Sequence, residues 1–597
     1  MVRLERNELG QIVRKDAAGE VTTYAYDLTD QIAQATGPSG STLTVLRDRY
    51  GRVREETIDG RLMAYCYDES GRRTGRTTPS GAATTWSYDS AGQRTGMLAS
   101  GWTIDFTYDE AGREITRRVG ETLTQEHTFD AMGRLITQAV AGESGSLVQQ
   151  RKYTYRADGH LLSILDHLSG SRRFDLDPIG RVTGVHAANW TETYAYDEVD
   201  NQTQASWPPG HPSQEAVGAR TYIGTRITRA GGVRYEHDAL GRITLRQKTR
   251  LSRKPDTWRY EWDSEDRLTS VVTPDGTCWR YTYDPLGRRT AKLRLAEDRE
   301  TIVERVVFVW DDTTLCEQTT TSTELPHPVT ITWDHQGLLP ITQRERITAA
   351  DSPQEEIDSR FFAIITDLTG TPSELVDGEG RIAWRTRATL WGVTTWAADS
   401  TTYTPLRFPG QYYDPETGLH YNYFRHYDPS TARYLTSDPL GLEPSPNPVA
   451  YVRNPHAWVD PLGLAPCPYM DVYPSGKGIV AELDSRGVMS LVIEKGPDTP
   501  RGSEMFDNAI RNFGDDVQGV KGYWQNGGTL RDNLDSFNSA ARNSSPGDMQ
   551  ALESAARSTF TGKMAARHGF TEVDIVELRG PHGDYSHVGV IFGPPLR

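Results

Sequence analysis

A short frame, aromatic-x-aromatic-Asp, returns through this chain at a nearly fixed interval, and that interval constrains the fold more than any other feature. The copies read YAYDLTDQI, YCYDESGRRTG, WSYDSAGQRTG, FTYDEAGREIT, HTFDAMGRLIT, FDLDPIGRVTG, YAYDEVDNQTQ, YEHDALGRITL and YTYDPLGRRTA. Asp68, Asp89, Asp109 and Asp130 follow one another at 21, 20 and 21 residues. Asp177 to Asp197 keeps the step, and Asp263 to Asp284 returns to 21. Asp197 to Asp238 spans 41, two steps with one degenerate copy. A period of about 20 means one supersecondary unit, repeated, with each copy stacked on its neighbours.

The unit is legible physically. Strand periodicity puts the two aromatics, such as Tyr24 and Tyr26, on one face. Asp-x-x-Gly predicts a type I turn, with Asp accepting from the backbone and Gly in the fourth position. The GRRTG or GRLIT that follows starts the return strand. Each period is therefore a hairpin of two strands of about 8 residues. Stacked hairpins give a mainly β fold, a continuous twisting sheet able to wind into a shell, with aromatic and Arg side chains laddered between successive copies.

Composition removes several function classes. Hydrophobic residues are 36% of the chain and the mean hydropathy is -0.60, yet 28 Tyr and 14 Trp make it too aromatic for disorder. A formal charge of -16 argues against broad electrostatic gripping of nucleic acid. Cys66, Cys278, Cys316 and Cys467 form no CxxC pair, so neither a metal site nor a disulfide framework is expected. No apolar run reaches the roughly 18 residues of a membrane helix. The opening MVRLERNELG carries no apolar signal core, and the repeats begin almost at Met1. Another segment or protein is then expected to carry the chain out of the cell.

The Tyr-Asp repeats resemble those of Rhs (rearrangement hotspot) and YD-repeat proteins over residues 1–400. The segment LRFPGQYYDPETGLHYNYFRHYDPSTARYLTSDPLGL, Leu406 to Leu442, is similar to the Rhs-associated core, assigned here to residues 401–464. The resemblance implies a hollow β-shell enclosing a variable C-terminal toxin domain, residues 465–597. It also implies an immunity protein, a secretion-system spike or adaptor, delivery into a rival bacterium without a signal peptide, and a toxin target such as RNA or a translation factor. The competing reading is a surface or adhesion structure whose C-terminus is only a folded cap.

The motif DPLGL occurs twice, at Asp438–Leu442 and Asp460–Leu464, and the repeat pattern stops there. A single copy is a turn, as at Asp284-Pro285-Leu286-Gly287. Two carboxylates sharing a proton, however, can hydrolyse a peptide, one activating water and the other polarising the carbonyl. In the family resembled, paired motifs of this kind mark aspartyl self-cleavage, which would fall between Leu464 and Ala465 with Asp438 and Asp460 as the catalytic pair. Arg433, five residues upstream of Asp438, could orient a carboxylate or serve the fold.

Beyond Leu464 the texture changes to a compact α+β domain. KGIVAELDSRGVMSLVIEKG reads as strand, turn and strand. RGSEMFDNAIRNFG reads as a helix capped by Ser503 and stopped at Gly514. Two further helical segments follow, the second broken near Thr561-Gly562, and then two strands joined by PHGD. This region holds 13 basic against 17 acidic residues. Its candidate polar set is Arg501, Glu504, Trp524, Lys563, Arg567, His568, His582, Tyr585 and His587, with no metal-binding signature. His582, Tyr585 and His587 with Lys563 fit a metal-independent RNase. RSTFTGK with an Arg and Glu572 or Glu577 outlines an ADP-ribosyltransferase, for which NAD would be the substrate; otherwise no cofactor is expected. His568 fits a helix-end cap.

Overall fold

In a computed structural model, thirty-six strands among the described residues between Val2 and Trp396 form one antiparallel meander, each strand pairing with the next in sequence. The structure describes all residues except 1, 91, 111, 158, 251, 253, 350–351, 443–444, 465–468, 473–477, 484–487, 494–500, 514–516, 526–530, 543 and 594–597. Ala465, Cys467 and Gly514 thus lie outside the described residues. The chain divides into two compact units, Met1–Asp89 with Arg94–Ala465, and Pro466–Arg597 with Ser90–Gln93.

The repeat motif builds one rung after another. At Asp68 the turn closes as the Gly71 amide donates to the Asp68 carbonyl at 3.0 Å, while Asp68 Oδ1 accepts the Arg72 amide at 2.9 Å. Gly71 takes φ 84°, a conformation that costs other residues energy. Tyr67, just before the Asp, sits at a β-bulge, so the strands are shorter than the expected eight residues: Arg61–Tyr67 has 7 and Arg73–Thr77 has 5. The next rung is then locked on. Arg72 Nε holds Asp68 Oδ2 at 2.6 Å, and Arg72 Nη1 donates to the Asp89 carbonyl at 3.0 Å. Its guanidinium lies 5.1 Å from the Tyr88 ring centre, and Tyr88 OH donates to the Arg73 carbonyl at 2.6 Å. The Asp177–Arg181–Tyr196 rung repeats these contacts. The degenerate copy survives as Tyr222, which donates to Gln202 O at 2.7 Å although no Asp-x-x-Gly follows it.

Within this unit the meander returns upon itself. Lys15 pairs with Glu265, 250 residues away, Arg76 with Asp334 at 2.7 Å, and Trp102 stacks on Phe361 at 4.7 Å. Alternation explains the interface: Ile104 and Phe106 point inward between exposed Thr103, Asp105 and Thr107, and share a core with Ile341, Ala363 and Ile365. Residues 412–434 form a separate sheet of four short strands in the same unit. They dock through buried charge. Arg289 holds both Asp414 oxygens at 2.7 and 3.1 Å, and Lys292 holds Glu416 at 3.0 Å.

Among the described residues, the second unit has a six-stranded sheet, four helices and its own core of Phe506, Val520, Trp524, Phe537, Leu552 and Phe592. The expected hairpin appears as Gly478–Leu483 and Val488–Ile493, and the closing strands as Glu572–Arg579 and His587–Gly593. Two boundaries differ from expectation. The first helix begins at Gly502, because the Arg501 carbonyl already accepts the Met505 amide at 3.1 Å, so Ser503 lies inside it rather than capping it. The later helix breaks at Thr559, two residues before the expected point, because Thr559 Oγ1 caps the next helix by accepting the Gly562 amide at 3.1 Å.

Candidate functional site at the twin DPLGL motifs

The two DPLGL copies adopt different local structures. At Asp438 the motif is the same turn the repeats use: the Gly441 amide donates to the Asp438 carbonyl, and Oδ1 accepts the Leu440 amide at 2.8 Å. At Asp460 the side chain takes over, and Oδ1 accepts the amides of both Gly463 at 2.8 Å and Leu464 at 3.0 Å. Gly463 is required twice, by φ 71° and because a Cβ there would lie 2.7 Å from the Asn422 carbonyl.

The turn Asn422–Arg425 holds this loop at three successive points. Asn422 Nδ2 donates to the Asp460 carbonyl at 2.7 Å, the Phe424 amide to the Leu462 carbonyl at 3.1 Å, and Arg425 Nε to the Gly463 carbonyl. The peptide running to Leu464 is therefore pre-positioned.

Arg425 also joins the two motifs. Its Nη2 is 2.8 Å from Asp438 Oδ2 and 3.2 Å from Asp460 Oδ2, and all three side chains are buried. The guanidinium lies 3.7 Å from the Tyr434 ring centre, and Tyr434 OH donates to Asp460 Oδ2 at 2.7 Å. Burial pushes the Asp438 carboxyl up to about 6, with Arg425 pulling against that shift and Asp460 adding to it. Asp460 is also raised by burial, against Arg425, Tyr434 and the two amides. Burial and then the Asp460 charge hold the Tyr434 phenol well above its ordinary value, so it remains a donor. A buried carboxyl titrating near neutrality beside a second, donor-rich carboxylate is an acid–base pair.

The structure thus brings Asp438 and Asp460 together and keeps Arg433 away from both. Arg433 donates to Asn201 Oδ1 at 2.8 Å and to the Thr225 carbonyl, fastening the core segment to the repeats. Arg425, Tyr434 and Asn422 are the residues that sequence reasoning missed.

A family model of the teneurin YD-shell matches residues 222–448, and the RHS repeat model matches residues 6–42 and 67–99. The chain belongs to the Rhs/YD-repeat family. It is 29% identical over 414 residues to the probable deoxyribonuclease RhsA of Dickeya dadantii (strain 3937), covering 68% of this chain and 27% of that one. It is 33% identical over 371 residues to the double-stranded DNA deaminase toxin A of Burkholderia cenocepacia (strain H111), covering 58% and 24%. This Rhs-family chain therefore spans about a quarter of the length of those curated relatives. Among solved structures, the Photorhabdus luminescens Tc holotoxin pore shares the fold at 20% identity and TM-score 0.58, covering 78% of this chain and 24% of that one.

In the second unit of this Rhs-family chain, two of the singled-out residues meet. His582 Nδ1 lies 3.0 Å from Tyr585 OH and its Nε2 lies 3.0 Å from the Ser544 carbonyl. The carbonyl can only accept, so Nε2 carries the proton and Nδ1 accepts from the phenol. Both ring nitrogens are committed, and the pair fastens the PHGD turn. His587 stands apart, bonded through Nδ1 to Ser586 Oγ at 3.1 Å. His568 is the C-cap of its helix and bonds Asp507 Oδ1 at 2.8 Å. Trp524 is core, while Arg501, Glu504, Lys563 and Arg567 are exposed. The hydroxyls of RSTFTGK serve helix ends: Ser558 Oγ donates to Ala555 O, Thr559 caps, and Thr561 Oγ1 accepts from Asn533 Nδ2 at 3.2 Å.

Proposed function

We propose that this chain is the repeat body and releasable C-terminal domain of an Rhs toxin, cut from itself after Leu464 by Asp438 and Asp460. The observation that carries the reading is the buried Asp438–Arg425–Asp460 bridge, with Asp460 bonded to the Leu464 amide. The ionised carboxylate takes a proton from water, and the resulting hydroxide attacks the Leu464 carbonyl carbon. The carboxyl partner donates its proton to the carbonyl oxygen. Collapse then returns the carbonyl proton to the carboxylate that gave it and breaks the bond to Ala465, whose nitrogen leaves with the proton the other carboxylate took from water. Asp460, with four donors around its oxygens, is the ionised member, and Asp438 carries the proton.

The released domain acts in a rival bacterium, on RNA. The producing cell makes the chain in its cytoplasm, hands it to a secretion spike or adaptor, and protects itself with an immunity protein. The names of two relatives, a probable deoxyribonuclease and a double-stranded DNA deaminase toxin, support nucleic acid as the substrate class.

The test is expression of the full chain and its Asp438→Asn and Asp460→Asn variants, read on a denaturing gel. The natural chain should yield a fragment whose N-terminal sequence begins at Ala465, and each variant a single full-length band. Release of that fragment from Asp460→Asn overturns the proposal.

A further inference from the structure

Three strands of the second unit, Gly519–Gln525, His587–Gly593 and Glu572–Arg579, lie side by side with His587–Gly593 in the middle. Their alternation sorts the residues. Val520, Trp524, Val588, Val590 and Phe592 enter the core beneath the helices. The residues between them lie on the opposite face. Register there places Arg579 beside His587, Glu577 beside Gly589 with Tyr523 on its other side, and Ile591 beside Lys521.

That face collects the parts of an acid–base site. Tyr523 and His587 have ring centres 6.4 Å apart, and Arg579 Nε is 2.5 Å from Glu577 Oε1. Glu577 Oε1 is buried, with Arg579 as its ion-pair partner and no well-aligned hydrogen bond, so Arg579 orients the carboxylate over this face. Between Glu577 and Tyr523 the sheet carries only Gly589, where an added Cβ would come within 3.1 Å of Glu577 Cβ. The glycine therefore floors a notch with a carboxylate on one side and a phenol on the other. His587 and Glu577 are diagonal neighbours across the strand pair, which puts their Cβ atoms roughly 7 Å apart, within reach of one bound phosphodiester.

We propose that this face is the domain's catalytic site and that it cleaves single-stranded RNA by transesterification, an assignment that rests on the RNA reading above. Glu577 takes the proton from a ribose 2′-hydroxyl, whose oxygen attacks the adjacent phosphorus. The bond from phosphorus to the 5′-oxygen breaks, and protonated His587 gives its proton to that oxygen. The products are a 2′,3′-cyclic phosphate and a 5′-hydroxyl, so atoms balance with no co-reactant. Lys521 and Arg579 supply positive charge to the phosphorane, and Tyr523 offers an aromatic surface for a base. RNA is favoured over DNA because the nucleophile is internal to the substrate, and an intramolecular hydroxyl has an effective concentration no free water attains.

The test uses the full chain, expressed without any protective partner, as the natural sequence and as His587→Ala, Glu577→Gln and Glu553→Gln. The last lies on the helix side of the sheet and serves as the control. Cellular RNA is sequenced for 2′,3′-cyclic phosphate ends, and thermal melts of the purified chains confirm folding, with Glu577→Gln as the near-isosteric variant. The natural chain and Glu553→Gln should raise such ends, and the two site variants should lower them by at least roughly a hundredfold. Ends that persist in both site variants overturn the site while leaving the RNA reading standing. A natural chain that raises no such ends overturns both.

Discussion

Asp460 Oδ1 accepts the amide of Leu464 at 3.0 Å, so a buried carboxylate is tied directly to the residue whose carbonyl the proposed cut opens. The tie depends on Arg425, which neutralises the carboxylate pair and grips the Gly463 carbonyl as well. Arg425→Gln should leave two buried carboxylates with no counter-charge and slow self-cleavage by on the order of a hundredfold. Arg425→Lys keeps the charge but loses the planar fork and should fall between the two. Arg433→Met should cleave as the natural chain does, since Arg433 faces Asn201 and Thr225. Densitometry of full-length and cut bands against time separates the three.

The repeat rungs should differ greatly in worth, although their sequence is the same. Arg288 is 2% exposed and bridges Asp284 at 2.7 Å and Glu56 at 3.0 Å, the latter on a distant strand. Arg288→Met would strand both carboxylates in the interior, a loss of about 3–5 kcal/mol. Arg381 makes the equivalent bond to Asp377 at 3.0 Å with its side chain 70% exposed. Arg381→Met should cost under about 1 kcal/mol. Denaturant titration by tryptophan fluorescence compares them, and equal shifts would contradict the closure contacts.

Acid should loosen the return of the meander. Burial alone would raise the Asp311 carboxyl, but Arg73 at 2.7 Å and Arg76 at 3.2 Å outweigh it and hold it down at about 2. A carboxyl lowered by folding stabilises the protein above its unfolded value near 3.8, and that contribution disappears as pH falls toward 2. It amounts to roughly 2 kcal/mol. The melting temperature of Asp311→Asn should therefore lie below that of the natural chain at neutral pH, and the gap should narrow below about pH 4. A gap independent of pH would count against the ion pair.

The repeat was legible because its signals are local: the Asp, the Gly and the aromatic pair of one turn lie within seven residues, and the Arg after the Gly reaches its Asp by four. The Asp438 and Asp460 pairing was legible because the motif is duplicated. Arg425 was not, because its role arises only when the 422–425 turn packs against a loop 35 residues further on. Arg433 is nearer to Asp438 in sequence, yet it points to inter-strand turns more than two hundred residues earlier. In the second unit the strand GVKGYWQ escaped notice because two glycines blur its alternation, and Trp524, singled out as polar, is its core anchor. The open sheet face was hidden for the same reason, since Tyr523, Glu577 and His587 meet only through strand register.

The pH course of self-cleavage follows from the site itself. One carboxyl must be protonated and the other ionised, and Asp438, pushed up to about 6 by burial beside Asp460, is the member that loses its proton as pH rises. The rate should therefore fall on the alkaline side with a midpoint near 6, and fall again in acid once Asp460 also takes a proton. The slowed Arg425→Lys chain, purified uncut and placed in buffers from about pH 4 to about pH 8, makes both limbs measurable. Tyr434→Phe removes a donor that favours ionised Asp460 and should move the acid limb upward, while leaving the alkaline limb, which belongs to Asp438, nearly in place. A rate that stays level through this range would mean that the carboxylate pair does not cut the chain.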